Sequence, residues 1–131
     1  MINATAARPR VAVVDDDPRI RTLLEEELLD MGVEPCICSS GLDLLAKLED
    51  SPIELILLDL MMPDLDGIQC LHRLKELAYP GTVLIFTALS DDQKRREALE
   101  AGAQDYVLKP DLFAKLPSLI RQYTQAKREN D

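Results

Sequence analysis

Leu55-Ile56-Leu57-Leu58-Asp59-Leu60-Met61-Met62-Pro63-Asp64-Leu65-Asp66-Gly67 is the stretch on which the reading of this chain turns. Four consecutive apolar residues run into one carboxylate. A short apolar run bounded by turn residues reads as a strand covered on both faces, as in a parallel sheet. Asp59 then stands at the C-terminal tip of that strand, the end of an open α/β sheet where ligands bind. Pro63 and Gly67 mark the loop that follows. Taken alone, such an aspartate is a turn cap. The acids elsewhere in the chain give it a different meaning.

Moving outward, the same pattern recurs. Val11-Ala12-Val13-Val14 is a first buried strand that runs into Asp15-Asp16-Asp17. Asp17 is placed to cap a helix that starts at Pro18, and Ile20, Leu23, Leu24, Leu28 and Met31 supply its apolar face. Gly32 stops it. Val33 to Cys38 is a second strand, and Pro35 inside it predicts a sheet edge. Ser40 and Asp43 open a second helix with Leu42, Leu45 and Leu48 inward. The central strand leads to a third helix, about 66–77, with Ile68, Leu71 and Leu74 inward. Thr82 to Phe86 forms a fourth strand that ends at Thr87. Ser90-Asp91-Asp92-Gln93 reads as a capping box headed by Ser90, the start of a fourth helix with a weak apolar face, Ala98, Leu99 and Ala101, closed by Gly102. Asp105 to Leu108 is a fifth strand, ending in Lys109-Pro110. A fifth helix carries Leu116, Leu119, Ile120 and Tyr123, with Pro117 expected in its first turn, because an interior proline costs about 3 kcal/mol.

Five strands alternating with five helices predict a doubly wound parallel sheet with right-handed crossovers. Five strands favour the flavodoxin-like order 2-1-3-4-5, which also leaves Pro35 on an edge. In that order the tips of strands 1 and 3 are neighbours, so Asp15 and Asp16 meet Asp59. Strand 4 adds the Thr87 hydroxyl and strand 5 the Lys109 ammonium. Three close carboxylates repel, more so in a cleft shielded from water. Lys109 offsets part of that charge. A hard divalent cation offsets the rest, and all-oxygen ligands point to Mg²⁺, Ca²⁺ or Mn²⁺. Few carboxylates, with room left for water and phosphate, are typical of Mg²⁺.

Composition narrows the alternatives. The 131 residues fit one domain with a core, 47% are apolar, and only 4% are aromatic, so the core is aliphatic. The net charge of −9 argues against nucleic acid or an anionic membrane as a direct partner. No apolar run reaches membrane-spanning length, and a cytoplasmic location is expected. The three cysteines, Cys36, Cys38 and Cys70, match neither a disulfide framework nor a zinc pattern, and buried free thiols are expected. His72 is the only histidine, which leaves no basis for a histidine metal site.

Four segments, in this order, resemble the receiver domain of two-component response regulators. They are 11–18 with its acids, 55–67, Phe86-Thr87-Ala88, and Tyr106-Val107-Leu108-Lys109-Pro110. The resemblance covers roughly 10–123. It implies a phosphoryl group accepted by Asp59 from a sensor histidine kinase or phosphotransfer protein. It implies Mg²⁺, or Mn²⁺ in its place, held by Asp16, Asp59 and the Met61 backbone carbonyl, with Asp15 acting largely through water. It gives Lys109 to Asp59 and the phosphoryl oxygens, Thr87 and the Ala88 amide to the phosphoryl group, and Tyr106 the role of a rotamer switch. The face made by helix 4, strand 5 and helix 5 would then meet an effector or a second receiver. The chain divides accordingly into a leader at 1–9, a receiver domain at 10–124 and a charged tail or linker at 125–131. An aspartate-nucleophile phosphatase of the haloacid dehalogenase type needs a second aspartate two residues after the first, where this chain has Met61. A scaffold that only binds partners would have a damaged acidic site, and here it is complete.

Overall fold

The computed structural model describes residues 8–124. The expected tail, and the expected leader up to residue 7, lie outside the described residues. The elements run β1 (Arg10–Val14), α1 (Pro18–Asp30), β2 (Glu34–Cys38), α2 (Gly41–Leu48), β3 (Leu55–Asp59), α3 (Gly67–Glu76), β4 (Thr82–Thr87), α4 (Asp92–Glu100), β5 (Asp105–Leu108) and α5 (Lys109–Tyr123). All strand pairs are parallel, and the order is β2-β1-β3-β4-β5. The expected fold is the one observed. Pro35 sits on the edge strand, where its missing N–H removes no rung from a second neighbour.

Side-chain alternation sorts the sheet into two layers. Val11, Val13, Leu55, Leu57, Leu84, Phe86 and Val107 face α1 and α5. Ala12, Val14, Ile56, Leu58, Val83 and Ile85 face α2, α3 and α4. All five residues of β3 are buried, as a strand covered on both sides requires. Extending the period of two past each strand end puts Asp15, Asp59 and Lys109 toward the α1/α5 layer. Thr87 and Tyr106 fall toward the α4 layer.

Helix starts follow the capping chemistry, with corrections. Asp17 caps α1 through Arg19 N–H, and Asp66 and Gln69 form a full capping box at α3. Ser40 caps α2 through Asp43 N–H, but the Asp43 carboxylate answers Ser39 N–H instead of the cap residue's own. At α4 the cap is Asp91, one residue beyond the expected Ser90, because Asp91 accepts from both Gln93 and Lys94 N–H. Pro117 lies inside α5, not in its first turn, a place that Pro110 takes. Pro117 is exposed, so water can reach the Phe113 carbonyl that its ring leaves without a donor. Leu23 and Leu42, expected inward, are 48% and 56% exposed. Leu24, also expected inward, is buried, and in α2 Leu44 takes the buried position in place of Leu42. Gly32 and Gly102 end α1 and α4 with φ of 79° and 116°, backbone that other residues adopt at a cost. The three cysteines are free and buried, and burial pushes the Cys38 and Cys70 thiols up, so they stay protonated and unreactive.

Candidate functional site

The parallel register sets the site. Val14 lies opposite Leu58, so Asp15 and Asp59 leave the sheet side by side. Asp59 pairs with Phe86, and Thr87 with Leu108, so the hydroxyl and Lys109 sit one step further out. A cleft at this edge is lined by Asp15, Asp16, Asp17, Asp59, Met61, Thr87, Ala88, Leu89 and Lys109. Every polar side chain expected at the sheet tips is therefore in one place. Tyr106 stands apart, on the neighbouring strand.

Asp15 and Asp59 are buried, while Asp16 is exposed. One carboxylate oxygen from each of the three falls within 4.8 Å of the others, close enough for a shared ion. Lys109 Nζ lies 3.1 Å from Asp15 Oδ2 and 3.5 Å from Asp59 Oδ2. The Asp15 contact is an ion pair at angles that make no hydrogen bond, so this buried oxygen keeps an unused acceptor site. A buried carboxylate oxygen short of donors, in a three-acid cluster with one lysine, fits a hard divalent cation. Lys109 also passes over the Phe86 ring, 5.5 Å from its centroid, a cation–π contact beside the two carboxylates it pairs with.

Electrostatics make Asp59 the unusual acid. Burial, and then the Asp15 charge, push its carboxyl up to about 7, against the pull of Lys109 and of the Met61 N–H. That N–H donates to Asp59 Oδ1 at 3.2 Å and aims the carboxylate. Burial pulls Lys109 down, but Asp15 and Asp59 outweigh it and leave the ammonium firmly charged. Gly67 packs on the same strand end. A Cβ there would lie 2.7 Å from Leu60 Cα and 2.8 Å from the Asp59 carbonyl oxygen, so only glycine lets α3 start this close to the backbone at the end of β3.

Three contributors carry no signal in the sequence. Phe86 reads as core. Arg21 reads as a surface cation, yet its Nη1 donates to the Asp15 carbonyl at 2.7 Å. Leu89 joins the two switch candidates through its backbone. Its N–H donates to Thr87 Oγ1 at 3.1 Å, and its carbonyl accepts from the Tyr106 hydroxyl at 2.7 Å.

Comparison with known proteins agrees with this geometry. The family model described as the response regulator receiver domain matches residues 11–121. The transcriptional regulatory protein AruR of Pseudomonas aeruginosa is 37% identical over 128 residues, covering 91% of this chain and 52% of that protein. The transcriptional regulatory protein ZraR of Salmonella typhimurium is 36% identical over 119 residues, covering 91% of this chain and 27% of that protein. The chain thus spans about half the length, or less, of these curated relatives. Among solved structures, the receiver domain of the Francisella response regulator 1452 superposes with a TM-score of 0.82 at 29% identity, covering 92% of this chain and 98% of that one.

Proposed function

Because the chain belongs to the response regulator receiver domain family, we propose that it accepts a phosphoryl group on Asp59 and relays that event through its α4–β5–α5 face. The observation that carries the proposal is the Asp59 carboxylate at the tip of the central strand, clustered with two further acids and 3.5 Å from Lys109. The donor is a phosphohistidine on a sensor histidine kinase or phosphotransfer protein, and the reaction takes place in the cytoplasm. The chain promotes only its own phosphorylation and dephosphorylation, with no turnover of an outside substrate.

A carboxylate is a competent nucleophile toward phosphorus once it is ionised. Burial works against ionisation here, so positive charge at the site has to favour it. Asp16, Asp59 and the Met61 carbonyl are the groups that would hold Mg²⁺ or Mn²⁺ directly, with Asp15 behind them. That cation, when bound, lowers the proton affinity of Asp59 and neutralises charge on the phosphoryl oxygens. The rest is done by the chain. Met61 N–H orients the Asp59 carboxylate, Lys109 follows the negative charge from Asp59 to the phosphoryl oxygens, and the Ala88 N–H and Thr87 hydroxyl offer donors beside it. Positioning and charge stabilisation of this kind supply most of the acceleration in phosphoryl transfer.

Drawing Thr87 toward the phosphoryl group, to which its hydroxyl hydrogen would donate, would pull on the bond that its oxygen accepts from Leu89 N–H. The loop tied to it in this way is the one that the Tyr106 hydroxyl holds from the other side. Phosphorylation therefore biases the β4–α4 loop and the Tyr106 rotamer together, and changes the surface offered to an effector or a second receiver. The test is incubation with a small acyl phosphate and Mg²⁺, followed by intact mass. One phosphoryl group is expected, chelator should prevent it, and Asp59→Asn should abolish it. Equal labelling of Asp59→Asn would assign the nucleophile elsewhere.

A further inference from the structure

We infer that Arg21 is a positioning residue for the acidic cluster, holding the Asp15–Asp16 peptide so that Asp16 presents its carboxylate to a divalent cation. The inference rests on the proposed Mg²⁺-dependent function of the same site. β1 ends at Val14, so the chain leaves the parallel ladder as it enters the acids. Asp15 N–H still reaches the Cys38 carbonyl at 3.2 Å, and Asp15 Oδ1 accepts from Asp17 N–H at 2.9 Å. The carbonyl of this fully buried residue is taken by Arg21 Nη1 at 2.7 Å, a charge-assisted bond. That carbonyl and the N–H of Asp16 belong to one rigid peptide plane. Fixing the one therefore fixes the direction in which the Asp16 Cα leaves the sheet.

Asp16 depends on this clamp. It is exposed, and among the described residues its carboxylate makes no hydrogen bond or ion pair of its own. Its neighbours are tied down on every side, so its aim is set by its backbone. Local helix chemistry does not account for Arg21. It is the fourth residue of α1, near the positive end of the helix dipole, where a cation is disfavoured and where α1 has no acid in its first turn. The bond to Asp15 is what the guanidinium finds there.

Charge and position make opposite predictions. As a bare positive charge, Arg21 repels a cation, and its removal would tighten metal binding. As a clamp, its removal frees the peptide and weakens binding. Partners that orient metal ligands typically contribute about tenfold or more to affinity. The experiment titrates Mg²⁺ into wild type, Arg21→Met and Arg19→Met by calorimetry, with metal-free amide spectra of each. Arg19 bonds Asp17 and not the Asp15 carbonyl, so its variant loses the same charge without touching the clamp. Arg21→Met should bind Mg²⁺ about tenfold more weakly and shift the Asp16 and Asp17 amides, while Leu24 and Leu28 keep their signals. Arg19→Met should bind like wild type. Arg21→Lys, which keeps the charge and one donor, should fall between wild type and Arg21→Met, and is the variant to read if Arg21→Met does not fold. Wild-type affinity in Arg21→Met, or an equal loss in Arg19→Met, would overturn the clamp and leave the proposed function standing. A wild-type protein that takes up no Mg²⁺ would overturn both.

Discussion

Replacing Asp59 with asparagine should make the metal-free protein more stable. Two unit negative charges at the 4.8 Å upper limit of the cluster's separations repel by about 3.5 kcal/mol at an effective dielectric near 20. The substitution removes two such repulsions, from Asp15 and Asp16. It also removes the attraction to Lys109 at 3.5 Å, about 4.7 kcal/mol on the same scale. The balance is a gain of about 2 kcal/mol, before counting the burial of the charge. A second route starts from the carboxyl group itself. Its pKa, raised from 3.8 to about 7 in the folded protein, means that the folded state holds the proton where the unfolded chain has released it. Asp59 therefore contributes stability fully below pH 3.8, and loses it as the pH climbs through about 7. At pH 8 the accumulated loss is about 4 kcal/mol. The two routes bracket the effect at about 2–4 kcal/mol, the lower figure being the one more exposed to solvent screening of Asp16.

With 131 residues and about 2.1 cal/mol/K of unfolding entropy per residue, each kcal/mol moves Tm by about 4 °C. Asp59→Asn should then melt roughly 7–15 °C above wild type at pH 8 in chelator. At pH 5 the folded wild-type carboxyl is protonated, and the advantage should fall to less than half of its pH 8 value. Calorimetric melts at both pH values decide it. A variant no more stable than wild type at pH 8, or one with the same advantage at both, would show that Asp59 is not held at an electrostatic cost.

Mg²⁺ at 100 times its dissociation constant should stabilise wild type by about 2.7 kcal/mol, and Asp16→Ala should lose most of that gain in thermal melts. Thr87→Ala should still take phosphate on Asp59, but lose most of the phosphorylation-dependent amide shifts at Tyr106 and Ala98; retention of those shifts would remove Thr87 from the relay. Pro117→Ala restores a donor for the Phe113 carbonyl in mid-α5, and should add up to about 2 kcal/mol by urea unfolding, from up to ~3 for the helix less ~0.4–1 of added unfolded-chain entropy. No gain would mean that α5 has already relaxed around the ring.

The fold was legible because each strand is a short apolar run that stops at a turn or an acid, and because Pro35 labels the edge. The cleft was legible because strand order alone puts Asp15, Asp16, Asp59, Thr87 and Lys109 at one edge. What escaped was decided by local competition or by backbone. Ser90 and Asp91 are both good caps one residue apart, and the turn after β4 chooses between them. Pro110 and Pro117 both suit a first turn, and only one can occupy it. Leu23 and Leu24 are equally apolar, so the side of α1 that meets the sheet depends on how the helix is rolled. Leu89 acts through its peptide groups, which any residue other than proline carries. Arg21 looks like any helix-surface cation until the end of β1 is seen beneath it.

The layer sorting across the sheet has a consequence for how this chain tolerates insertions and deletions. Phe86 and Thr87 are adjacent, yet one supports Lys109 in the α1/α5 layer and the other addresses the α4 side. A single residue gained or lost within β4 would exchange them. The hydroxyl would then face the α1/α5 layer and the phenyl ring would fill the space under the β4–α4 loop. Neither side chain need be mutated for both duties to fail. Strand length is thus under a constraint as strict as that on any acid in the cleft. Length variation should be confined to the connections at the opposite edge of the sheet, such as the α2–β3 and α3–β4 turns, where a shift of one residue leaves the facing of every strand intact.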